Sequence, residues 1–207
     1  DFLFCSAKGL HPLLNEKRNG IHPNCKVWRA PKGQKKRSKY GRVNQPKSPP
    51  ISFVVEKLAE RDLLPAIYFI FSRKGCDKAI EYIKDLTLVN YSEANKISQK
   101  LSLYEKNNRE AIKNKIHFDA LKRGIASHHA GLLPAWKELV EELFQEGLIK
   151  VVFATETLAA GINMPARTTV ISSLSKRTED GHRLLFSSEF LQMSGRAGRR
   201  GKDKQGY

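Results

Sequence analysis

Cysteine is scarce in this chain: Cys5, Cys25 and Cys76 are the only three in 207 residues, and none lies in a C-x-x-C pair. That spacing argues against a disulfide framework or a cysteine-based zinc site. Reduced thiols in an intracellular compartment are the simple expectation. No run of eighteen apolar residues occurs, so no membrane-spanning helix is expected. The start, Asp1-Phe2-Leu3-Phe4, lacks the basic residues and long apolar stretch of a signal peptide. It also lacks a Met and opens in mid-pattern, as expected of a piece of a longer chain. Acidic residues are missing altogether between Glu16 and Glu56.

What fills that interval is positive charge. Eleven Lys or Arg lie from Lys17 to Lys47, and the whole chain carries a net charge of +16. Clustered charge of that size points to an anionic polymer, nucleic acid above all, as partner. The centre of the interval, residues 31 to 40, has little apolar content and reads as a loop or linker. It either holds nucleic-acid phosphates or simply connects. Pro46, Pro49 and Pro50 then mark the boundary before a compact domain.

From Ile51 the pattern becomes regular. Ile51 to Arg61 reads as a helix. Ala66 to Phe71 is a continuous apolar run of strand length, as expected of a parallel strand buried on both faces. Lys74 to Leu86 reads as a helix, and Glu93 to Leu121 as two helices broken near Asn107-Asn108. Ile125 to His128 reads as a short strand. Pro134 to Glu146 is an amphipathic helix, with Trp136, Leu139, Val140, Leu143 and Phe144 on one face. Pro134 suits its first turn and Gly147 its stop. Ile149 to Ala154 and Thr168 to Leu174 read as strands, and Ser188 to Ser194 as a last helix. Strands alternating with helices imply an α/β fold on a parallel sheet. Ligands of such sheets gather at the carboxyl ends of the strands, here the loops after Phe71, His128 and Ala154.

Four segments carry the chemistry. Gln192-Met193-Ser194-Gly195-Arg196-Ala197-Gly198-Arg199-Arg200-Gly201 places two Arg three apart, expected to point the same way on a helical turn. Two convergent guanidinium forks match phosphate oxygens and stabilise charge in phosphoryl transfer. Gly195 and Gly198 remove bulk, so that a ligand approaches the backbone. A generic basic, Gly-rich tail is the plainer alternative. Val152 to Pro165 is a buried strand leading into a polar turn. Thr155 and Thr157 there offer hydroxyls and amides to a sugar-phosphate chain, Gly161 allows close approach and Asn163 offers a donor and an acceptor. Ser72 and Arg73 end the first strand. Ser127-His128-His129-Ala130-Gly131 ends the next and opens a helix whose amides suit a phosphate. For His128 and His129 a structural or RNA-contacting role is expected rather than a metal site, because no third ligand stands at useful spacing.

In order along the chain, these segments resemble motif IV, the loop before motif V, motif V and motif VI of superfamily-two helicases. The runs His-Ala-Gly, Ala-Thr-Glu-Thr-Leu-Ala-Ala-Gly-Ile-Asn-Met-Pro and Gln-Met-Ser-Gly-Arg-Ala-Gly-Arg-Arg-Gly look like superkiller-type DExH-box RNA helicases. Within these the chain is most similar to the cyanobacterial and chloroplast branch. The strong match covers about residues 66 to 201, and residues 1 to 50 match only loosely. The resemblance implies a second RecA-like motor domain over 51–207, preceded by a basic connector over 1–50. It implies that Gln192 senses the γ-phosphate or attacking water, that Arg196 and Arg199 are arginine fingers, and that Gly161 and Asn163 line the nucleotide side of the cleft. Ser72, Arg73, Gly131, Thr155 and Thr157 would hold the RNA backbone. Gln192 and Asn163 depart from the DEAD-box form, which has His and Asp there, and fit the DExH branch.

The chain has no G-x-x-x-x-G-K-S/T phosphate loop and no D-E-x-H or D-E-x-D box. Mg-ATP would therefore be held mainly by a first RecA-like domain of the same polypeptide, and this fragment alone is expected to be inactive. A DNA helicase or translocase, or a non-catalytic RNA-binding scaffold, are the rival readings. The resemblance alone suggests a chloroplast location, with cytoplasm or nucleus as alternatives.

Overall fold

The computed structural model describes residues 2–6, 9–17, 48–108, 115–161, 164–179 and 181–207. The basic stretch from Arg18 to Lys47 and the candidate Asn163 lie outside them. The chain divides into two compact units, residues 1–57 and 58–207. In the first, β1 (Leu3–Ser6) and β2 (Gly9–Pro12) form an antiparallel hairpin, which the sequence pattern did not reveal. Helix α1 (Ile51–Glu60) crosses the division point.

The second unit is built on a four-stranded parallel sheet in the order β4-β5-β3-β6. Its strands are β3 (Ala66–Phe69), β4 (Ile125–His128), β5 (Val151–Ala154) and β6 (Thr168–Ile171). β3, β4 and β5 are buried at every position, whereas β6 is buried only at Thr168. This is the expected α/β sheet, and it explains the unbroken apolar runs: strands covered on both faces have no solvent side to alternate with. The sheet is shorter than those runs. β3 stops at Phe69 and β6 at Ile171, and Ile149 precedes β5 as a buried residue of its entry loop.

Helices α2 (Arg73–Tyr82), α3 (Tyr91–Asn107), α4 (Lys115–Lys122) and α5 (Pro134–Gln145) flank the sheet. α3 begins two residues earlier than the apolar pattern suggests, because Asn90 caps it. The Glu93 amide donates to Asn90 Oδ1 at 2.9 Å, and the Asn90 amide donates to Glu93 Oε2 at 3.0 Å. Asn108 ends that helix, where the sequence indicated a break. α5 buries the five predicted residues. Past its C-terminus Gly147 has φ +76°, and the amides of Gly147 and Leu148 donate back to the carbonyls of Phe144 and Leu143. A left-handed residue is what this stop requires. Trp136 packs on Tyr104 and Phe118 at centroid distances of 5.5 and 5.0 Å, joining α3, α4 and α5.

After β5 the chain forms α6 (Thr157–Gly161), then β6, an antiparallel hairpin of β7 (Ser175–Thr178) and β8 (Gly181–Leu184), and α7 (Ser187–Ser194). The sequence pattern missed this hairpin. Its half-buried, charged strands have no apolar face to announce them. β6 lies at the sheet's edge, where Thr169 donates to the Tyr207 carbonyl at 2.7 Å and Tyr207 donates to Arg167 at 3.1 Å.

Candidate functional site

The sheet topology sets the site. β4, β5 and β3 are neighbours and parallel, so the loops that follow them open side by side at one end of the sheet. Ser72 follows β3 and caps α2, with φ −155° and ψ 141°, and its Oγ accepts from the Gly75 amide at 2.9 Å. Its hydroxyl can still donate a proton to another group, and both Ser72 and Arg73 are exposed. Gly131, in the loop after β4, lies against the Arg73 side chain: a Cβ on Gly131 would stand 3.4 Å from Arg73 Cδ. After β5, the Thr155 and Thr157 hydroxyls meet at 2.9 Å. Ser72, Arg73, Gly131, Thr155 and Thr157 thus occupy three adjacent strand ends and offer hydroxyls, an amide-rich turn and a guanidinium. That set suits a sugar-phosphate backbone, whose oxygens accept from hydroxyls, amides and a guanidinium alike.

The loop after β4 is braced from below. His129 Nε2 bonds Asp77 Oδ1 at 3.0 Å while its Nδ1 accepts from the Gly131 amide at 3.2 Å. That pair of partners places the imidazole proton on Nε2. His117 Nε2 stands 3.2 Å from the same Asp77 oxygen, and Ser127 Oγ lies 3.4 Å from His117 Nδ1. His128 turns the other way, to Glu141 at 2.7 Å. Burial lowers the pKa values of both His117 and His128 against the pull of their carboxylates. The two adjacent histidines therefore serve separate carboxylates. Among the described residues no group of three His, Cys, Asp or Glu side chains is arranged to hold a metal ion. Asp77 and His117 carry no sequence signal of their own; only the packing of α2 and α4 on β4 brings them to this loop.

The glycine- and arginine-rich segment differs from expectation. α7 ends at Ser194, and Arg196 and Arg199 lie beyond it rather than on a helical turn. Gly198 has φ +91°, which turns the chain between them. Their guanidinium groups go to different partners. Arg196 donates through Nε and Nη2 to the Ala159 carbonyl on α6, the Nε distance being 3.2 Å. This bond fastens the turn after β5 to the end of α7. Arg199 donates through Nε and Nη2 to the two carboxylate oxygens of Asp203, at 2.8 and 2.7 Å. The space beside Gly198 is filled by Gly206, whose backbone lies 3.4 Å from where a Cβ would sit. Gly198 therefore serves a turn and close backbone packing, not a ligand's approach. Gln192 is exposed on α7, and Gly161 closes α6.

An ion-pair cluster joins these parts. Lys176 on β7 lies 2.7 Å from both Glu156, between the two threonines, and Glu189 on α7. Glu189 also pairs bidentately with Arg183 at 2.7 and 2.9 Å and accepts from the Phe186 amide at 2.8 Å. These contacts, Arg183 first, pull the Glu189 pKa far below the usual carboxylate range. Reading along the sequence does not find this cluster, because its members come from a loop, a hairpin and a helix.

Comparison with known proteins agrees with the parallel α/β fold. Residues 78–201 match the family described as the helicase conserved C-terminal domain. The chain is similar to the chloroplastic DExH-box ATP-dependent RNA helicase DExH15 of Arabidopsis thaliana, at 47% identity over 171 residues, 83% of this chain and 14% of that protein. It is similar to the antiviral helicase SKI2 of Saccharomyces cerevisiae, at 43% over 157 residues, 74% of this chain and 12% of that protein. It is also similar to the superkiller complex protein 2 of Mus musculus, at 41% over 157 residues, 74% and 13% respectively. The chain thus spans less than a sixth of the length of these relatives.

Proposed function

Since the chain belongs to the helicase conserved C-terminal domain family, on its superkiller-like DExH-box branch, we propose that it is the second RecA-like motor domain of an ATP-dependent RNA helicase. Residues 51–207 form that domain and residues 1–50 connect it to the first. The observation that carries this reading is the grouping of Arg73, Gly131, Thr155 and Thr157 at three adjacent strand ends. The bond from Arg196 to the Ala159 carbonyl ties that backbone grip to the arginine-bearing turn.

The chain lacks a phosphate loop and an acidic box, so the first domain binds most of the Mg-ATP. The residues here fit the complementary half, with the guanidinium groups of Arg196 and Arg199 for phosphate charge. In this mechanism the cleft between the two domains closes on ATP. Arg196 and Arg199 then meet the charge that builds on the transferred phosphoryl group, and Gln192 senses the γ-phosphate or the attacking water. The family resemblance assigns Gly161 and Asn163 to the nucleotide side. Opening after hydrolysis moves one domain's grip along the strand. Contacts to the backbone rather than to bases make the motion indifferent to sequence. Similarity to the chloroplastic relative supports a chloroplast location for the whole protein, which imaging of a fluorescent fusion tests.

The functional test is RNA-stimulated ATP hydrolysis by the full-length protein, with RNA and DNA of one sequence in competition. Arg199→Ala is expected to lower turnover by about a thousandfold or more, in the range of a lost arginine finger, while RNA affinity stays nearly constant. Unchanged turnover would refute the assignment.

A further inference from the structure

The Asp203 side chain is only 3% exposed, although that of its partner Arg199 is 23% exposed. The carboxylate makes three bonds to one residue. Oδ2 accepts from the Arg199 backbone amide at 2.9 Å and from Nε at 2.8 Å, and Oδ1 accepts from Nη2 at 2.7 Å. The turn is closed in the other direction as well, by the amides of Lys202 and Asp203, each 3.0 Å from the Arg199 carbonyl. Arg167 stands behind, with Nε 4.0 Å from Asp203 Oδ1. The acid is thus ionised and held, with its pKa drawn down to about 2, Arg199 being the main cause.

A guanidinium has two bidentate edges. Asp203 takes the Nε–Nη2 edge of Arg199 and leaves the Nη1–Nη2 edge, which carries one outward N–H from each terminal nitrogen. We propose that Asp203 is a positioning residue for phosphoryl transfer: it fixes the plane of the Arg199 guanidinium so that this second edge faces the γ-phosphate when the cleft closes. This rests on the reading of Arg199 as an arginine finger. The physical gain is preorganisation. A long, flexible side chain is ordered in the domain before ATP arrives, so the transition state need not bear that entropy. The bonds to the backbone amide and side chain together make the placement rigid, which a surface ion pair of two mobile side chains is not.

The experiment uses the full-length protein, measuring RNA-stimulated ATPase at saturating RNA with ATP varied. Asp203→Asn keeps the size and removes the charged two-point grip. It is expected to lower kcat by about tenfold or more while shifting KM for ATP by less than about threefold, the signature of an interaction realised in the transition state. In the Arg199→Ala background the same change is expected to cost nothing further, because its effect passes through Arg199. Thermal melting and RNA affinity report whether the variant is folded. If Asp203→Asn does not fold, Asp203→Ser is read against the same outcomes. A variant kcat near wild type, while Arg199→Ala is impaired, overturns the positioning role and leaves the finger. Equal losses in both backgrounds also overturn it. An unimpaired Arg199→Ala instead removes the reading beneath it.

Discussion

The Oδ1 atom of Asp77 lies 3.2 Å or less from two imidazoles that are 5% and 4% exposed. Each has an N–H that water cannot reach, so each depends on that oxygen. Asp77→Ala strands two buried donors and is expected to destabilise the domain by about 1–3 kcal/mol. Asp77→Asn keeps an acceptor oxygen in place and is expected to cost less than half as much. Urea denaturation of both variants measures the difference, and equal costs would show that the acceptor is not what matters. The same comparison bears on the site, since His129 also holds the Gly131 amide beside Arg73. Sequence reading singled out His129 and Gly131 but gave no hint of Asp77, which is an unremarkable polar position on α2 until α4 and β4 pack beside it.

At the scale of elements, the β7–β8 hairpin is the part least able to hold itself. Two short strands with no buried residue are marginal in water. Its ties to the rest are ionic: Lys176 and Arg183 both reach Glu189. Glu189→Gln is therefore expected to raise amide hydrogen exchange within residues 175–184 by about tenfold, with little change in β3, β4 and β5. Added salt on the unsubstituted protein is expected to act in the same direction, because these groups are partly solvent-screened. Exchange rates that stay constant in both cases would mean that backbone packing, not charge, seats the hairpin. By contrast α5 was legible residue by residue. Its spacing of apolar positions, Pro134 at one end and Gly147 at the other each have a local physical meaning that survives in the fold.

At the scale of the whole molecule, stability should depend on pH through His117 and His128. Burial lowers the folded-state pKa of each from 6.5, so the unfolded chain takes up protons first. The stability is fully present above that value and is lost as pH falls from about 6.5 toward the folded pKa values. The melting temperature is expected to be flat between about pH 8 and 7 and to fall below about 6.5, before the carboxylates titrate. Replacing both histidines by Gln should flatten that upper part of the slope. Asp203 adds a second, lower window: its stabilising charge is lost as pH drops from 3.8 toward about 2. A melting temperature that rises on acidification through 6.5 would contradict the burial argument.

The sequence by itself determined the α/β class, the position of the parallel strands and the family. These depend on local properties: unbroken apolar runs, helix-period faces, turn residues, and short motifs that resemble one helicase family. It also determined what this chain lacks, because an absent phosphate loop is visible in one dimension. Only the tertiary structure decided how the side chains are used. On sequence, Arg196 and Arg199 were equivalent and convergent. In the fold, α7 ends before them and Gly198 turns the chain, so one grips a carbonyl 37 residues away and the other a carboxylate. The Asp77, Lys176 and Glu189 clusters and the β7–β8 hairpin escaped the sequence for one physical reason. A charged group's partner is chosen by proximity and burial after the sheet has assembled, and neither quantity is encoded in spacing along the chain.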